Sequence, residues 1–168
     1  QSINRMVRFR PVFCYFQLVS RLGDGWFWYA LILATPFVAP HAGAGLALLM
    51  TLTGLTCTLV YKLLKHWLIR ERPFISFPSI NCGTPPLDRY SFPSGHTLHA
   101  ACFQSMLFTT TPKLALATLP FTLSVAASRV VLGLHYPTDV VAGALIGSLM
   151  GYLSTLYFLS DFLALFPG

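Results

Sequence analysis

The chain alternates between long apolar segments and short polar connections. Five segments are rich in apolar residues and poor in charged ones over lengths close to the hydrocarbon thickness of a bilayer. They cover residues of about 25–40, 42–64, 94–110, 113–132 and 137–160. Each is typical of a transmembrane helix, so the sequence predicts about five membrane crossings.

Residues 5–22 have a different pattern, in which arginines are mixed with apolar side chains. This stretch is too short and too basic to cross a bilayer, and we expect a helix that lies in the membrane interface. No polar linker or low-complexity stretch divides the chain, so residues 1–168 are predicted to form a single integral-membrane domain. The predicted fold class is all-α: a polytopic membrane helical bundle with about five transmembrane helices plus an N-terminal interfacial helix.

Composition and charge indicate which classes of partner the chain is expected to bind. The chain is 55% hydrophobic and only 10% charged, whereas soluble domains carry about 25% charged residues. Its net charge is +6, and the cations cluster at the ends of apolar segments rather than along one exposed face. Anionic lipid headgroups and phosphorylated substrates are therefore the expected partners, and nucleic acid is not.

Two further patterns concern packing and redox state. Gly143, Gly147 and Gly151 form a small-residue stripe of the kind that lets membrane helices pack closely. We interpret it as packing within the bundle, with a homodimer face as the open alternative. The four cysteines lack C-x-x-C spacing, which disfavours a zinc site, and a bridge between Cys14 and Cys82 would require both to face an oxidising compartment.

Three polar blocks lie at the edges of the apolar segments. They are residues 65–73, residues 93–96 and residues 128–139. The first two blocks belong to one loop, and the third belongs to a loop that follows two spans later. With five crossings, both loops therefore emerge on the same side of the membrane. The three blocks can therefore meet in one site.

The blocks supply residue types that suit a phosphate group. Lys65, Arg72 and Arg129 can act as positive clamps for phosphate oxygens, although cations at span ends are also common as simple flanks. Arg129 favours the functional interpretation, because a cation among the apolar residues near it is unfavourable without a partner.

The remaining polar residues of the blocks suit nucleophilic and acid–base chemistry. Ser94, Gly95 and His96 are expected to begin a helix, whose free N–H groups attract anions; an ordinary serine N-cap is the alternative. His135 precedes Asp139 by four residues, which places a carboxylate within reach of an imidazole.

Together these blocks resemble the type 2 phosphatidic acid phosphatase family, which shares its catalytic core with the vanadium haloperoxidases. The resemblance covers residues 65–139 at every fixed motif position. It implies that His135 Nε2 is the nucleophile and that Asp139 accepts a hydrogen bond from His135 Nδ1–H. His96 would protonate the leaving group and then activate water. The implied phosphate-binding residues are Lys65, Arg72, Ser94, Gly95 and Arg129.

The resemblance implies a single phosphatase domain that hydrolyses a lipid phosphate or lipid diphosphate through a phosphohistidine, with no metal and no cofactor. Phosphatidate, phosphatidylglycerol phosphate, undecaprenyl diphosphate and a lipid A phosphate all suit these features. A lipid phosphotransferase using the same intermediate is the main alternative; a soluble haloperoxidase and an anion channel fit the chain less well. Because His135 must be neutral while His96 is protonated, a bell-shaped pH profile near a pKa of about 6.5 is expected.

The expected location is a bacterial inner membrane, crossed several times. Two arguments about sidedness conflict. The excess of Lys and Arg on the side of the catalytic loops indicates the cytoplasm, whereas relatives in the resembling family usually face the periplasm or cell exterior. Cations that bind phosphate also distort the count, and we favour the periplasmic face.

Overall fold

A computed structural model describes residue 4 and residues 8–39, 43–86 and 88–165, with side chains described up to residue 157. All regular secondary structure in these residues is helical, as the sequence predicts. The helices are α1 (Arg10–Arg21), α2 (Phe27–Val38), α3 (Gly43–Trp67), α4 (Pro73–Ser76), α5 (Gly95–Thr110), α6 (Pro112–Val131) and α7 (Pro137–Leu165).

The N-terminal helix α1 covers most of the predicted interfacial stretch, from residue 10 to residue 21. Its residues Val19 and Ser20 are buried while most of the others are at least partly exposed, and it packs mainly against α6. A π-helical segment, Leu22–Trp26, joins it to α2. Gly25 within this segment has a φ of 139°, which favours glycine and produces a kink between the two helices.

Helix α5 forms the centre of the bundle, and its most extensive contacts are with α7. The glycine stripe at residues 143, 147 and 151 lies at this contact. A Cβ added at Gly147 or Gly151 would collide with the carbonyl oxygen of Leu98 or Cys102. The stripe therefore packs within the bundle, and α5 rather than a second copy of the chain covers it.

Three helices of the described residues are long and apolar enough to cross a membrane: α3, α6 and the first part of α7, Pro137–Tyr157. Helix α5 has 16 residues and α2 has 12. At 1.5 Å per residue these two helices are roughly 24 Å and 18 Å long, shorter than a typical hydrocarbon core of about 30 Å. The predicted segments thus coincide with helices, while the number of crossings remains a prediction.

Cysteine pairing does not appear in the described structure. Cys14 and Cys82 are exposed free thiols, and Cys57 and Cys102 are buried free thiols. Cys82 Sγ instead contacts the carbonyl oxygen of Thr84 at 3.1 Å. The buried pair packs as small apolar side chains in the core of the bundle.

Backbone hydrogen bonds connect the loops that carry the three polar blocks. The amide of Ser94 donates to the carbonyl of Asp139 at 3.1 Å, and the amide of Ser91 donates to the carbonyl of Arg70 at 2.8 Å. The amide of Gly83 donates to the carbonyl of Leu132. These bonds hold the ends of α3, α5, α6 and α7 together, so the sequence blocks converge at one end of the bundle.

Candidate active site

His135 occupies the connection between α6 and α7 and is almost completely buried. Its Nδ1 lies 2.7 Å from the carbonyl oxygen of Ser91, which can only accept a hydrogen bond. Nδ1 therefore carries the proton. Nε2 lies 3.3 Å from Nη1 of Arg72, a group that can only donate, so Nε2 presents its lone pair. This is the tautomer that a nucleophilic Nε2 requires.

The surroundings of His135 keep its ring neutral. Burial lowers its pKa from 6.5 to about 3, and the charges of Arg129, Arg72 and Lys65 act in the same direction against the opposing effect of Asp139. At neutral pH the imidazole is therefore neutral, and its Nε2 lone pair faces Nη1 of Arg72.

Asp139 has a different hydrogen-bonding role from the one expected. Its Oδ2 lies 3.7 Å from His135 Nδ1, beyond hydrogen-bond length, because the carbonyl of Ser91 occupies the position of the acceptor. Asp139 instead accepts from the amide of Tyr136 at 2.8 Å and from Nη1 of Arg70 at 2.7 Å. Its carboxylate is fully buried, and its proximity raises the pKa of His135 against the effect of burial.

Arg70 contacts the site but is not among the residues predicted from the sequence. Its guanidinium donates to Thr138 Oγ1 at 2.9 Å as well as to Asp139, and it lies 4.1 Å from the ring centroid of Tyr136. It therefore compensates the buried charge of Asp139.

Lys65 and Arg72 meet at the carboxylate of Asp88. Lys65 Nζ is within 2.7 Å of both carboxylate oxygens, and Arg72 Nη2 donates to Oδ1 at 2.7 Å. Burial raises the pKa of Asp88, but its hydrogen bonds and ion pairs with the two cations outweigh burial and hold that pKa below its usual value. An anion thus already occupies the two cations in the free protein.

Arg129, near the end of α6, is the third cation. Its Nη1 donates to Ser20 Oγ at 2.7 Å, and its buried Nε has no hydrogen-bond partner in the described structure. A buried donor without a partner is unfavourable by about 1–3 kcal/mol. The arrangement suits an anion that supplies the acceptor.

Ser94 and Gly95 begin α5, as expected, but the hydroxyl of Ser94 is not at the surface of the site. It is completely buried and caps the helix, contacting Thr97 Oγ1 at 2.9 Å and accepting from the amide of Thr97 at 3.4 Å. Gly95 lies beside Tyr61 and lines a large cavity that Lys65, Arg72 and Arg129 also line. Of the expected phosphate-binding residues, the structure brings all but Ser94 to this cavity.

His96, on the first turn of α5, faces the same cavity and pairs through Nε2 with the Oδ1 atom of Asp24. Asp24 belongs to the π-helical segment before α2. This carboxylate lies outside the three sequence blocks.

The cavity has a volume of about 590 Å³ and two chemically different ends. Lys65, Arg72, Arg129 and His135 form the cationic end. The cavity then follows α2 and α3 as far as Met50, fifteen residues before Lys65 on the same helix, or roughly 22 Å along its axis. Its remaining walls are mostly apolar, and include Trp28, Ile32 and Leu55.

The described residues contain no obvious set of metal ligands. Among the described residues, no group of three or more His, Cys, Asp or Glu side chains lies close enough together to hold an ion. The carboxylates of Asp24, Asp88 and Asp139 each pair with a different cation or imidazole.

Fold and site define a multi-pass membrane protein with a histidine and three cations at the polar end of an apolar cavity. Residues 42–162 match the model of the PAP2 superfamily. The chain therefore belongs to this superfamily, which confirms the resemblance found on the three sequence blocks.

Two curated relatives illustrate the similarity. The chain is 44% identical over 82 residues to decaprenylphosphoryl-5-phosphoribose phosphatase of Mycolicibacterium smegmatis, a match that covers 48% of this chain and 42% of that protein. It is 33% identical over 121 residues to phosphatidylglycerophosphatase B of Bacillus subtilis. This match covers 63% of this chain and 55% of that protein. The chain thus matches about half the length of these relatives.

A crystal structure of a transmembrane PAP2-type phosphatidylglycerolphosphate phosphatase from Bacillus subtilis has a similar fold. The TM-score is 0.75 at 27% sequence identity, and the superposition covers 93% of this chain and 82% of the other. The likeness therefore extends beyond the residues of the family match.

Proposed function

We propose that this protein hydrolyses a lipid phosphate or lipid diphosphate through a phosphohistidine intermediate. The observation that carries the proposal is the state of His135. Its Nδ1 donates to Ser91, its Nε2 lone pair faces Arg72, and its low pKa keeps it neutral. A neutral, oriented imidazole beside three cations is suited to attack on a phosphorus atom whose oxygens those cations hold.

In the first step His135 Nε2 attacks phosphorus while the bond from phosphorus to the lipid oxygen breaks. The departing oxygen takes a proton from protonated His96. Lys65, Arg72 and Arg129 stabilise the charge on the equatorial oxygens, assisted by the backbone at Gly95. The product is a lipid alcohol, or a lipid monophosphate if the substrate is a diphosphate.

In the second step water attacks the phosphohistidine, and neutral His96 takes its proton. The phosphorus–nitrogen bond breaks with its electron pair returning to His135 Nε2, and inorganic phosphate leaves. Asp139 supports both steps: its charge favours the positive imidazole that exists while phosphorus is attached.

The apolar part of the cavity supports a lipid substrate. A path of roughly 22 Å along α3 accommodates much of one extended hydrocarbon chain while the phosphate reaches Lys65 and Arg72. Both curated relatives described above are named as phosphatases of lipid-linked phosphates. This chain's own lipid substrate is expected to belong to the same broad class.

The mechanism is tested by trapping the phosphoenzyme. Purified protein is mixed with a substrate labelled on its phosphate, quenched in base and analysed for protein-bound label. We expect His135→Ala to form no phosphoenzyme and to lose at least about 10²–10⁴-fold in turnover. His96→Ala should still form phosphoenzyme from an aryl phosphate, whose leaving group needs no proton, and should accumulate it.

The exposed neighbour His66 provides the matched control, since His66→Ala changes a histidine that does not line the cavity. Normal turnover by His135→Ala would refute the mechanism. Transfer of label to a second lipid rather than release as phosphate would identify a phosphotransferase instead.

We further propose five crossings, formed by α2, α3, α5, α6 and α7, with the site on the periplasmic face of a bacterial inner membrane. The absence of Asp, Glu, Lys and Arg from residues 94–110 and the central position of α5 in the bundle support a crossing by α5 despite its length. Helix α1, with arginines at both ends and a buried face against α6, is proposed to lie in the interface.

A further inference from the structure

The N-terminal segment contacts two motif residues from outside the sequence blocks. Ser20 and Asp24 lie four residues apart, one at the end of α1 and one in the π-helical segment. Ser20 Oγ accepts from Arg129, and the Asp24 carboxylate pairs with His96 Nε2. One turn of backbone therefore contacts both a phosphate-binding cation and the proposed acid.

The kink beside Asp24 allows this approach. Gly25 has a φ of 139°, a conformation that side chains other than glycine rarely adopt. A Cβ at Gly23 would lie 3.1 Å from Val125 and 3.7 Å from the ring of His96, so the backbone here packs closely on α6 and α5. Departures of this kind from regular α-helix are frequent at functional sites.

The hydrogen bonds assign different roles to the two nitrogens of His96. A carboxylate can only accept, so Nε2 carries the proton that is directed at Asp24. Nδ1 has no hydrogen-bond partner in the described structure, although His96 lines the main cavity. A carboxylate on one nitrogen with the other nitrogen free is the arrangement that prepares an imidazole for proton transfer.

We propose that Asp24 is a positioning residue for His96: it fixes the imidazole ring and stabilises its protonated form, so that His96 can protonate the leaving group. This inference rests on the proposed function. The carboxylate is needed because His96 is largely buried and shares its cavity with the cations that bind phosphate, both of which oppose a second positive charge. An adjacent negative charge compensates for that cost.

The experiment compares Asp24→Asn with His96→Ala on two substrates. One is an alkyl phosphate of a long-chain alcohol, whose leaving group needs a proton, and the other is an aryl phosphate, whose leaving group does not. We expect Asp24→Asn to reduce kcat for the alkyl phosphate by about 10–100-fold and kcat for the aryl phosphate by less than about threefold. For the alkyl substrate, the basic limb of kcat/KM should move to lower pH, because the imidazolium loses its proton more readily.

A double mutant separates positioning from general structural support. If Asp24 acts through His96, Asp24→Asn should cause no further loss in the His96→Ala background. The control is Glu71→Gln, which removes an exposed carboxylate outside the cavity and should leave both substrates and the pH profile unchanged.

The outcomes distinguish this inference from the proposed function. The inference about Asp24 would be overturned, and the proposed function would stand, if His96→Ala reduced turnover while Asp24→Asn kept the unsubstituted protein's kcat on both substrates. Equal losses on the two substrates that add to those of His96→Ala would also overturn it, because they would indicate a structural role. Unimpaired turnover of the alkyl phosphate by His96→Ala would instead overturn the assignment of His96 as the acid in the proposed function.

Discussion

At the scale of single residues, His135 shows how a buried site can prepare a neutral nucleophile. Three cations are proposed to bind a phosphate, and burial together with these same cations lowers the pKa of His135 to about 3. In the proposed mechanism, one arrangement would therefore both bind the anion and keep the nucleophilic nitrogen unprotonated. The carbonyl of Ser91 fixes the tautomer of His135 and so leaves Nε2 as the proposed nucleophile, a function that the resemblance assigns to Asp139.

This low pKa changes the expected pH dependence. Above about pH 4 His135 stays neutral in the free enzyme, so it cannot produce an acid limb near 6.5 in kcat/KM, which reports free enzyme and free substrate. Any acid limb near pH 6 should come from the second ionisation of the phosphate ester. Measuring kcat/KM from pH 4 to 9 with two esters of different second pKa tests this. A limb that stays near 6.5 for both esters would contradict the assignment.

Asp88 provides a second prediction at this scale. Its carboxylate binds both Lys65 and Arg72, where phosphate oxygens are proposed to bind, so substrate must displace or share it. Removing its charge with Asp88→Asn should tighten inhibition by vanadate by about three- to tenfold, or about 0.7–1.4 kcal/mol. Inhibition curves for the parent and for Glu71→Gln, a matched exposed carboxylate, provide the comparison. Weaker inhibition of Asp88→Asn would mean that Asp88 mainly holds the two cations in position.

The site residues that were not predicted from the sequence all contact partners that are distant in the chain. Asp24, Asp88 and Arg70 contact partners 72, 23 and 69 positions away, and no local pattern records such contacts. One signal was available: the chain has only five acidic residues, and a carboxylate at the edge of an apolar segment is unfavourable without a partner. Two of the three missed residues belong to that small set.

At the scale of helices, the sequence predicted helix starts correctly where the local residue type determines them. Ser94 caps α5, Pro137 begins α7, and Asp139 lies in the first turn of α7, all positions with strong intrinsic preferences. The apolar segments likewise coincide with helices. The kink at residues 22–26 was not predicted, because it depends on packing between α1, α5 and α6 rather than on hydropathy.

The contact between α5 and α7 gives a prediction for this scale. Gly147→Leu forces a side chain against the carbonyl of Leu98 and should destabilise the bundle by at least about 1–3 kcal/mol. Because α5 carries His96 and α7 carries Asp139, activity should fall with it. The thermal midpoint in detergent measures the effect, with Ser148→Leu, an exposed neighbour on the same helix, as the control. Equal midpoints for the two variants would contradict the close packing.

For the whole molecule, the central question is how the bundle sits in the membrane. Several of the cations that weigh toward a cytoplasmic site are engaged in internal ion pairs. Arg70 binds Asp139, while Lys65 and Arg72 bind Asp88. Such residues say little about orientation, because the positive-inside rule concerns cations in solvated loops.

Thiol labelling tests the orientation and the crossing by α5 together. Cys82 is exposed in the loop before α5, and Lys113 is exposed just after it, so α5 alone separates them. Two variants are used: Cys14→Ser, which keeps Cys82, and Cys14→Ser with Cys82→Ser and Lys113→Cys. The native cysteines that remain in both, Cys57 and Cys102, are buried. In intact cells a membrane-impermeant maleimide should modify the first variant and spare the second, because the site is proposed to face the periplasm.

Permeabilised cells provide the control, since both variants should then react. Labelling of the second variant alone in intact cells would place the site on the cytoplasmic side and leave the chemistry intact. Labelling of both in intact cells would mean that α5, at 16 residues, does not cross the membrane. The two loops that carry the catalytic blocks would then no longer be related by two crossings, and their meeting in one site would require a re-entrant α5 buried among the other helices.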